Sequence, residues 1–122
     1  MGKKIMIVDD SKTIRQQVSF TLQKGGYEVV EAEDGKDGLA KLQANPDIAM
    51  VISDVNMPNM NGLEMVEAMK GDAKTATVPV VMLTTEGATE LIDRAKKAGA
   101  KGWLVKPFKP DQLVAAVTKL AG

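Results

Sequence analysis

Short apolar runs alternate five times with longer stretches in which apolar residues recur every three or four positions. Ile5 to Val8 is the first run. It ends in Asp9-Asp10, and Ser11 is suited to cap a helix whose inner positions are Ile14, Val18 and Leu22, stopped by Gly25-Gly26. Tyr27 to Ala32 alternates in part and predicts a second strand near a sheet edge. Asp34-Gly35 then turns the chain into a helix carrying Leu39 and Leu42, closed by Asn45-Pro46. The third strand is predicted over Ala49 to Ser53. The helix after it opens with Asn61 and Glu64 at capping-box spacing, continues through Leu63, Val66 and Met69, and ends at Gly71. Pro79 to Leu83 predicts a fourth strand, ending in Thr84-Thr85. Leu91, Ala95 and Ala98 mark a fourth helix, stopped by Gly99. Gly102 to Val105 predicts a fifth strand, followed by Lys106-Pro107. The last helix begins at Pro110 and buries Leu113, Val114, Val117 and Leu120. Strict β-α alternation of this kind predicts an α/β domain, (βα)5, with a parallel sheet covered by helices on both faces.

The run Met50-Val51-Ile52-Ser53 passes abruptly into Asp54 and then a proline-bearing loop. A continuous apolar run is what a strand buried on both faces requires. Asp54 then stands at the strand's carboxyl end, the edge at which open α/β sheets bind ligands. Because all strands of a parallel sheet point one way, the same edge carries Asp9 and Asp10, Thr84 and Lys106. Taken singly, each has an ordinary explanation: a loop aspartate, two helix-cap acids, a capping hydroxyl, a solvated lysine. Together they make three carboxylates with a hydroxyl and an ammonium nearby. Carboxylates about 4 Å apart repel by about 4 kcal/mol per pair at an effective dielectric near 20. Such a group must hold protons or bind a cation.

Composition narrows that chemistry. There is no Cys and no His among the 122 residues, so thiol nucleophiles, disulfides, Ser-His-Asp triads and His-ligated zinc are excluded. A metal held by oxygen alone favours Mg²⁺, which takes one or two carboxylates and is completed by water and phosphate oxygens. A lysine and a threonine beside it suit phosphoryl oxygens, and Asp54 suits a carboxylate nucleophile that becomes an acyl phosphate. Sixteen basic residues balance sixteen acidic ones, so no net positive field points to nucleic acid or an anionic membrane. Ile5 to Val8 is too short for a signal peptide's apolar region, and Met6 stands where a myristoylation signal needs Ser or Thr. The expectation is a cytoplasmic protein. Eight Met beside four aromatics are expected to fill the core.

The stretches IMIVDDS, VISDVNMPNMNG, VVMLTTEG and GAKGWLVKPF, in this order and spacing, resemble the receiver domain of two-component response regulators, most of all the single-domain chemotaxis (CheY-like) type. The resemblance spans essentially the whole chain and implies a flavodoxin-like, doubly wound five-stranded sheet in the order 2-1-3-4-5, as one receiver domain over 1–122 with no output domain after it. It implies that Asp54 is the phosphoacceptor, that Asp9, Asp10 and Asp54 hold Mg²⁺ together with the backbone carbonyl of Asn56, and that Lys106 pairs with the phosphoryl group. Thr84 matches the switch hydroxyl and Trp103 the switch aromatic, more often Tyr or Phe in the family. Thr85 stands where the family often has Ala, and Trp103 is bulkier than Tyr and lacks its hydroxyl. Glu86 and Asn56 match members that lose the phosphoryl group quickly.

The implied function is a phosphorylation-activated switch rather than a turnover enzyme. A sensor histidine kinase would supply the phosphoryl group. The face formed by the fourth helix, fifth strand and fifth helix, with Lys96, Lys97, Lys101 and Trp103, would bind a downstream protein such as the flagellar motor switch or another chemotaxis component. A monomer, without nucleic acid or membrane insertion, is expected. Two alternatives share parts of the chemistry. A haloacid-dehalogenase-like phosphatase would normally place its nucleophile in an Asp-x-Asp after the first strand, whereas Asp9 and Asp10 are adjacent. A flavodoxin-like nucleotide module needs a phosphate loop there, and neither G-x-G-x-x-G nor a Walker A motif is present. A binding-only pseudo-receiver is the remaining possibility.

Overall fold

The computed structural model describes residues 3–55, 57–84, 89–106 and 108–121, except for the side chains of Thr89 and Leu91. Among them are five strands and five helices in strict alternation: β1 (Lys4–Val8), α1 (Lys12–Lys24), β2 (Glu28–Ala32), α2 (Gly35–Ala44), β3 (Ile48–Asp54), α3 (Gly62–Lys70), β4 (Val80–Thr84), α4 (Thr89–Ala98), β5 (Gly102–Val105) and α5 (Pro110–Ala121). The strands form one parallel sheet in the order β2-β1-β3-β4-β5. That is the order the resemblance implied.

Successive strand side chains point to opposite faces, and the core divides accordingly. Met6, Val8, Val51, Val80 and Met82 pack with residues of α2, α3 and α4. Their sequence neighbours Ile5, Ile7, Met50, Ile52, Val81 and Leu83 pack with α1 and α5 through Val18, Leu22, Leu113 and Val117. The central strands β1, β3 and β4 are thus apolar on both faces, which is why they read as continuous runs. The outer strands β2 and β5 are only partly buried. Five methionines, Met6, Met50, Met65, Met69 and Met82, are fully buried, so the expected core-filling role holds for them.

The capping residues behave as the sequence predicts. Ser11 Oγ accepts from the Ile14 N–H. Asn61 and Glu64 form the reciprocal capping box at the start of α3, and α2 ends at Asn45. Differences lie at strand ends. β3 runs through Asp54 rather than stopping at Ser53, since Asp54 pairs in register with Leu83 of β4. β4 starts at Val80 rather than Pro79, which has no N–H for the ladder, although its carbonyl still accepts from the Val51 N–H. Residues 71–78 had no predicted element. They form consecutive turns pinned by Thr75, whose buried hydroxyl donates to the Met69 carbonyl, and by Lys70, whose ammonium donates to the Ala76 carbonyl.

Candidate functional site

The sheet order makes β1 and β3 neighbours, so the residues that follow them meet across the switch point of the sheet. Asp9, Asp10 and Asp54 each offer a carboxylate oxygen within 4.8 Å of the others. Asp9 is buried at 1% exposure, Asp54 is intermediate and Asp10 exposed. Lys106, at the end of β5, reaches back over the edge. Its ammonium donates to Asp9 Oδ2 at 2.9 Å and lies 3.5 Å from Asp54 Oδ2.

Backbone geometry orients two of the acids. Asp9 Oδ1 accepts from the Ser11 N–H, so Asp9 is held by the N-cap residue of α1 on one side and by Lys106 on the other. Asp54 Oδ1 accepts from the Val55 N–H at 2.8 Å, leaving Oδ2 towards Lys106. Burial pushes the Asp54 carboxyl above its ordinary value. The Lys106 charge opposes that shift, and the negative charge of Asp9 adds to it.

Thr84 is buried at the end of β4, one residue past the Asp54–Leu83 pair, and its carbonyl accepts from the Lys106 N–H. Trp103 pairs in register with Met82 and packs against the core on the α2–α4 side of the sheet. Its Nε1 is buried without a hydrogen-bond partner among the described residues. Lys96, Lys97 and Lys101 are exposed on the neighbouring surface, as expected. Asn56, Thr85, Glu86 and Pro107 lie outside the described residues. An apolar groove of about 430 Å³ borders the site between α1 and the start of α5, lined by Ile14, Phe20, Lys106, Phe108 and Pro110.

The predicted residues Asp9, Asp10, Asp54, Thr84 and Lys106 therefore share one edge. A group of three carboxylates with one ammonium carries excess negative charge, and its donors are all oxygen. It fits a hard divalent cation. Sequence reasoning missed the pairing of Asp34 with Asn59, whose side chains are hydrogen-bonded between the start of α2 and the loop that follows β3. Asn59 lies inside the stretch VISDVNMPNMNG, but its contact with Asp34 spans 25 positions and no local pattern announces it.

The family model of the response regulator receiver domain matches residues 5–118. The chain belongs to the response regulator receiver family. It is 44% identical over 111 residues to the chemotaxis protein CheY1 of Helicobacter pylori, covering 90% of each chain. The CheY homolog of Campylobacter jejuni is 41% identical over 111 residues, covering 90% of this chain and 85% of that one. The solved structure of the chemotaxis protein CheY4 of Vibrio cholerae superposes with a TM-score of 0.92 at 46% identity, covering 98% of this chain and 99% of that one. The protein is thus a CheY-like receiver of two-component signalling, a class of signalling proteins that use Mg²⁺ rather than turnover enzymes. This membership sets aside the phosphatase and nucleotide-module alternatives. No described helix is long and apolar enough to cross a membrane.

Proposed function

We propose that this receiver is a switch charged on Asp54 by the phospho-histidine of a sensor kinase. The observation that carries the reading is the convergence of Asp9, Asp10 and Asp54 within 4.8 Å, with Lys106 bonded across them. Asp54 Oδ attacks phosphorus, forming an O–P bond as the N–P bond to the donor imidazole breaks. The departing imidazole nitrogen takes a proton. The 122 residues contain no His, so the phosphoryl group comes from a phospho-histidine outside them or from a small acyl phosphate.

Asp9, Asp10 and Asp54 would hold Mg²⁺, with the Asn56 carbonyl as a further ligand. Bound there, the ion offsets the charge of carboxylates and phosphoryl oxygens that would otherwise repel. Lys106 changes partner in the course of charging. Its ammonium leaves the Asp9–Asp54 pair for a phosphoryl oxygen, a charge-assisted contact of the kind lysines make with phosphate. Thr84 donates its hydroxyl to another phosphoryl oxygen. Since Thr84 shares its sheet face with Trp103, its displacement biases the packing of Trp103 and so the surface formed by α4, β5 and α5. That surface, with Lys96, Lys97 and Lys101 exposed, binds the downstream chemotaxis protein. Water attack on the acyl phosphate, with Asp54 as leaving group, resets the switch.

The test is mass measurement after exposure to a small acyl-phosphate donor with Mg²⁺. Wild type gains one phosphoryl group and Asp54→Asn gains none. Absence of added mass on wild type across several donors would leave a binding-only pseudo-receiver.

A further inference from the structure

The loop between β3 and α3 leaves the site through Val55 and is tied down at its base. The Gly62 N–H donates to the Val55 carbonyl at 2.9 Å. A Cβ on Gly62 would lie 2.1 Å from the Asp54 carbonyl oxygen, so the two ends of the loop approach as closely as a side-chain-free residue permits. The capping box of Asn61 and Glu64 holds the last turn of the loop. These contacts anchor its ends but not its tip.

The tip is held from another element. Asn59 has a φ of 67°, alone among the described non-glycine residues in being positive, and its amide donates to Asp34 Oδ2 at 2.7 Å. Asp34 Oδ1 is occupied separately, capping α2 by accepting from the Asp37 N–H at 2.8 Å. A helix cap requires a single oxygen. The second oxygen, on a residue only 6% exposed, serves the loop. The next residues pair as well, the Gly35 N–H donating to the Met60 carbonyl at 3.0 Å. A Cβ on Gly35 would lie 2.6 Å from Met60 Cγ, which makes this contact of α2 with the loop a close one. The Asp37 N–H and the Asn59 amide together hold the Asp34 carboxyl below the usual aspartate range, consistent with an ionised acceptor at neutral pH.

The Val55 N–H that fixes Asp54 Oδ1 belongs to the first residue of this loop, and the Val55 carbonyl accepts from the Gly62 N–H just past its other end, which links the stretch 59–62 to the carboxylate through one peptide. We propose that Asp34 and Asn59 form a clamp that positions the Asp54 carboxylate for phosphorylation by holding the 55–61 loop against the start of α2. Neither residue touches the reacting atoms. Both act through the loop. This rests on Asp54 being the phosphoacceptor.

The test uses two variants chosen to leave the backbone intact. Asn59→Gly keeps a positive φ at no steric cost and removes the amide. Asp34→Ser keeps a cap oxygen for the Asp37 N–H and removes the second acceptor. Each is compared with wild type for its thermal midpoint, its rate of phosphorylation by acetyl phosphate with Mg²⁺, and amide hydrogen exchange without Mg²⁺. The clamp predicts a rate about tenfold lower in each variant, with faster exchange confined to 55–61 and a retained melting transition. It also predicts that the double variant is no slower than the slower single, because both changes remove one contact. Wild-type rates in both variants, rate losses that multiply in the double variant, or exchange rising equally across the whole chain would overturn it. Failure of wild type itself to take up a phosphoryl group would instead overturn the reading of Asp54, and the clamp's role with it.

Discussion

The Lys106 ammonium donates to Asp9 Oδ2 at 2.9 Å, joining residues 97 apart in sequence. Their side chains are 12% and 2% exposed, and the same ammonium lies 3.5 Å from Asp54. The lysine expected to await a phosphoryl group therefore already has work in the uncharged protein. It offsets part of the repulsion among the acids, and the proposed capture of a phosphoryl oxygen requires its release from Asp9.

Removing that ammonium leaves buried negative charge without the cation that faces it. Lys106→Met is expected to destabilise the metal-free protein by about 3–5 kcal/mol, the usual cost of breaking a buried pair from one side. Urea unfolding in chelator checks the value, and adding Mg²⁺ should shrink the difference between variant and wild type.

Removing the negative charge has the opposite sign. The folded-state pKa of Asp54 is raised above its ordinary value of 3.8, so between the two values the folded chain binds more protons than the unfolded one. Stability therefore falls as pH rises through that window, and the loss persists at neutral pH. In chelator, Asp54→Asn should unfold at a higher urea concentration than wild type at pH 7. The gap should close as the pH is lowered below the ordinary aspartate value. A gap independent of pH would show that burial does not penalise this carboxylate.

Trp103 provides an optical readout, being the single tryptophan in the chain. Its buried Nε1 has no partner among the described residues, and an unmade buried hydrogen bond costs about 1–3 kcal/mol. Trp103→Phe, which keeps an aromatic ring and removes that N–H, should change stability by no more than about 1 kcal/mol, because relief of the N–H offsets lost contact area. In wild type, acyl phosphate with Mg²⁺ should shift the tryptophan emission, and Asp54→Asn should show no shift. An emission spectrum unchanged in fully phosphorylated wild type would mean that Trp103 is a packed anchor and no part of the switch.

Gly62 is required for space. A methyl group there would meet the Asp54 carbonyl oxygen at 2.1 Å, with Met82 Cε at 2.8 Å behind it. Either the end of β3 or the start of α3 must move. Gly62→Ala is expected to cost about 1–3 kcal/mol, as overpacking does. It should also slow phosphorylation by small donors, measured under conditions where the variant is fully folded.

Most of the architecture was legible because it rests on short-range regularities. Apolar runs bounded by turn residues located the strands, and Ser11, Asn61 and Gly71 marked helix ends through contacts three or four residues long. The site was legible to the extent that a parallel sheet must bring its strand ends to one edge, which placed Asp9, Asp54, Thr84 and Lys106 together before any contact was known. The turns at 71–78 escaped because their hold is a buried threonine and a lysine stem with no periodic signature. Asp34 was legible only as part of the turn into α2, since the use of its second oxygen depends on a loop 25 residues away.

The sequence by itself determined the order of elements, the two-faced burial of β1, β3 and β4, and the set of polar groups delivered to the carboxyl edge. It could do so because backbone hydrogen bonding and side-chain periodicity act within a few residues. Only the tertiary structure decided which of those groups touch. Lys106 seats on Asp9 more closely than on Asp54, and Asn59 finds the free oxygen of Asp34. Such pairings are settled by strand register, loop closure and competition among charges for one ammonium, and these are properties of the assembled sheet.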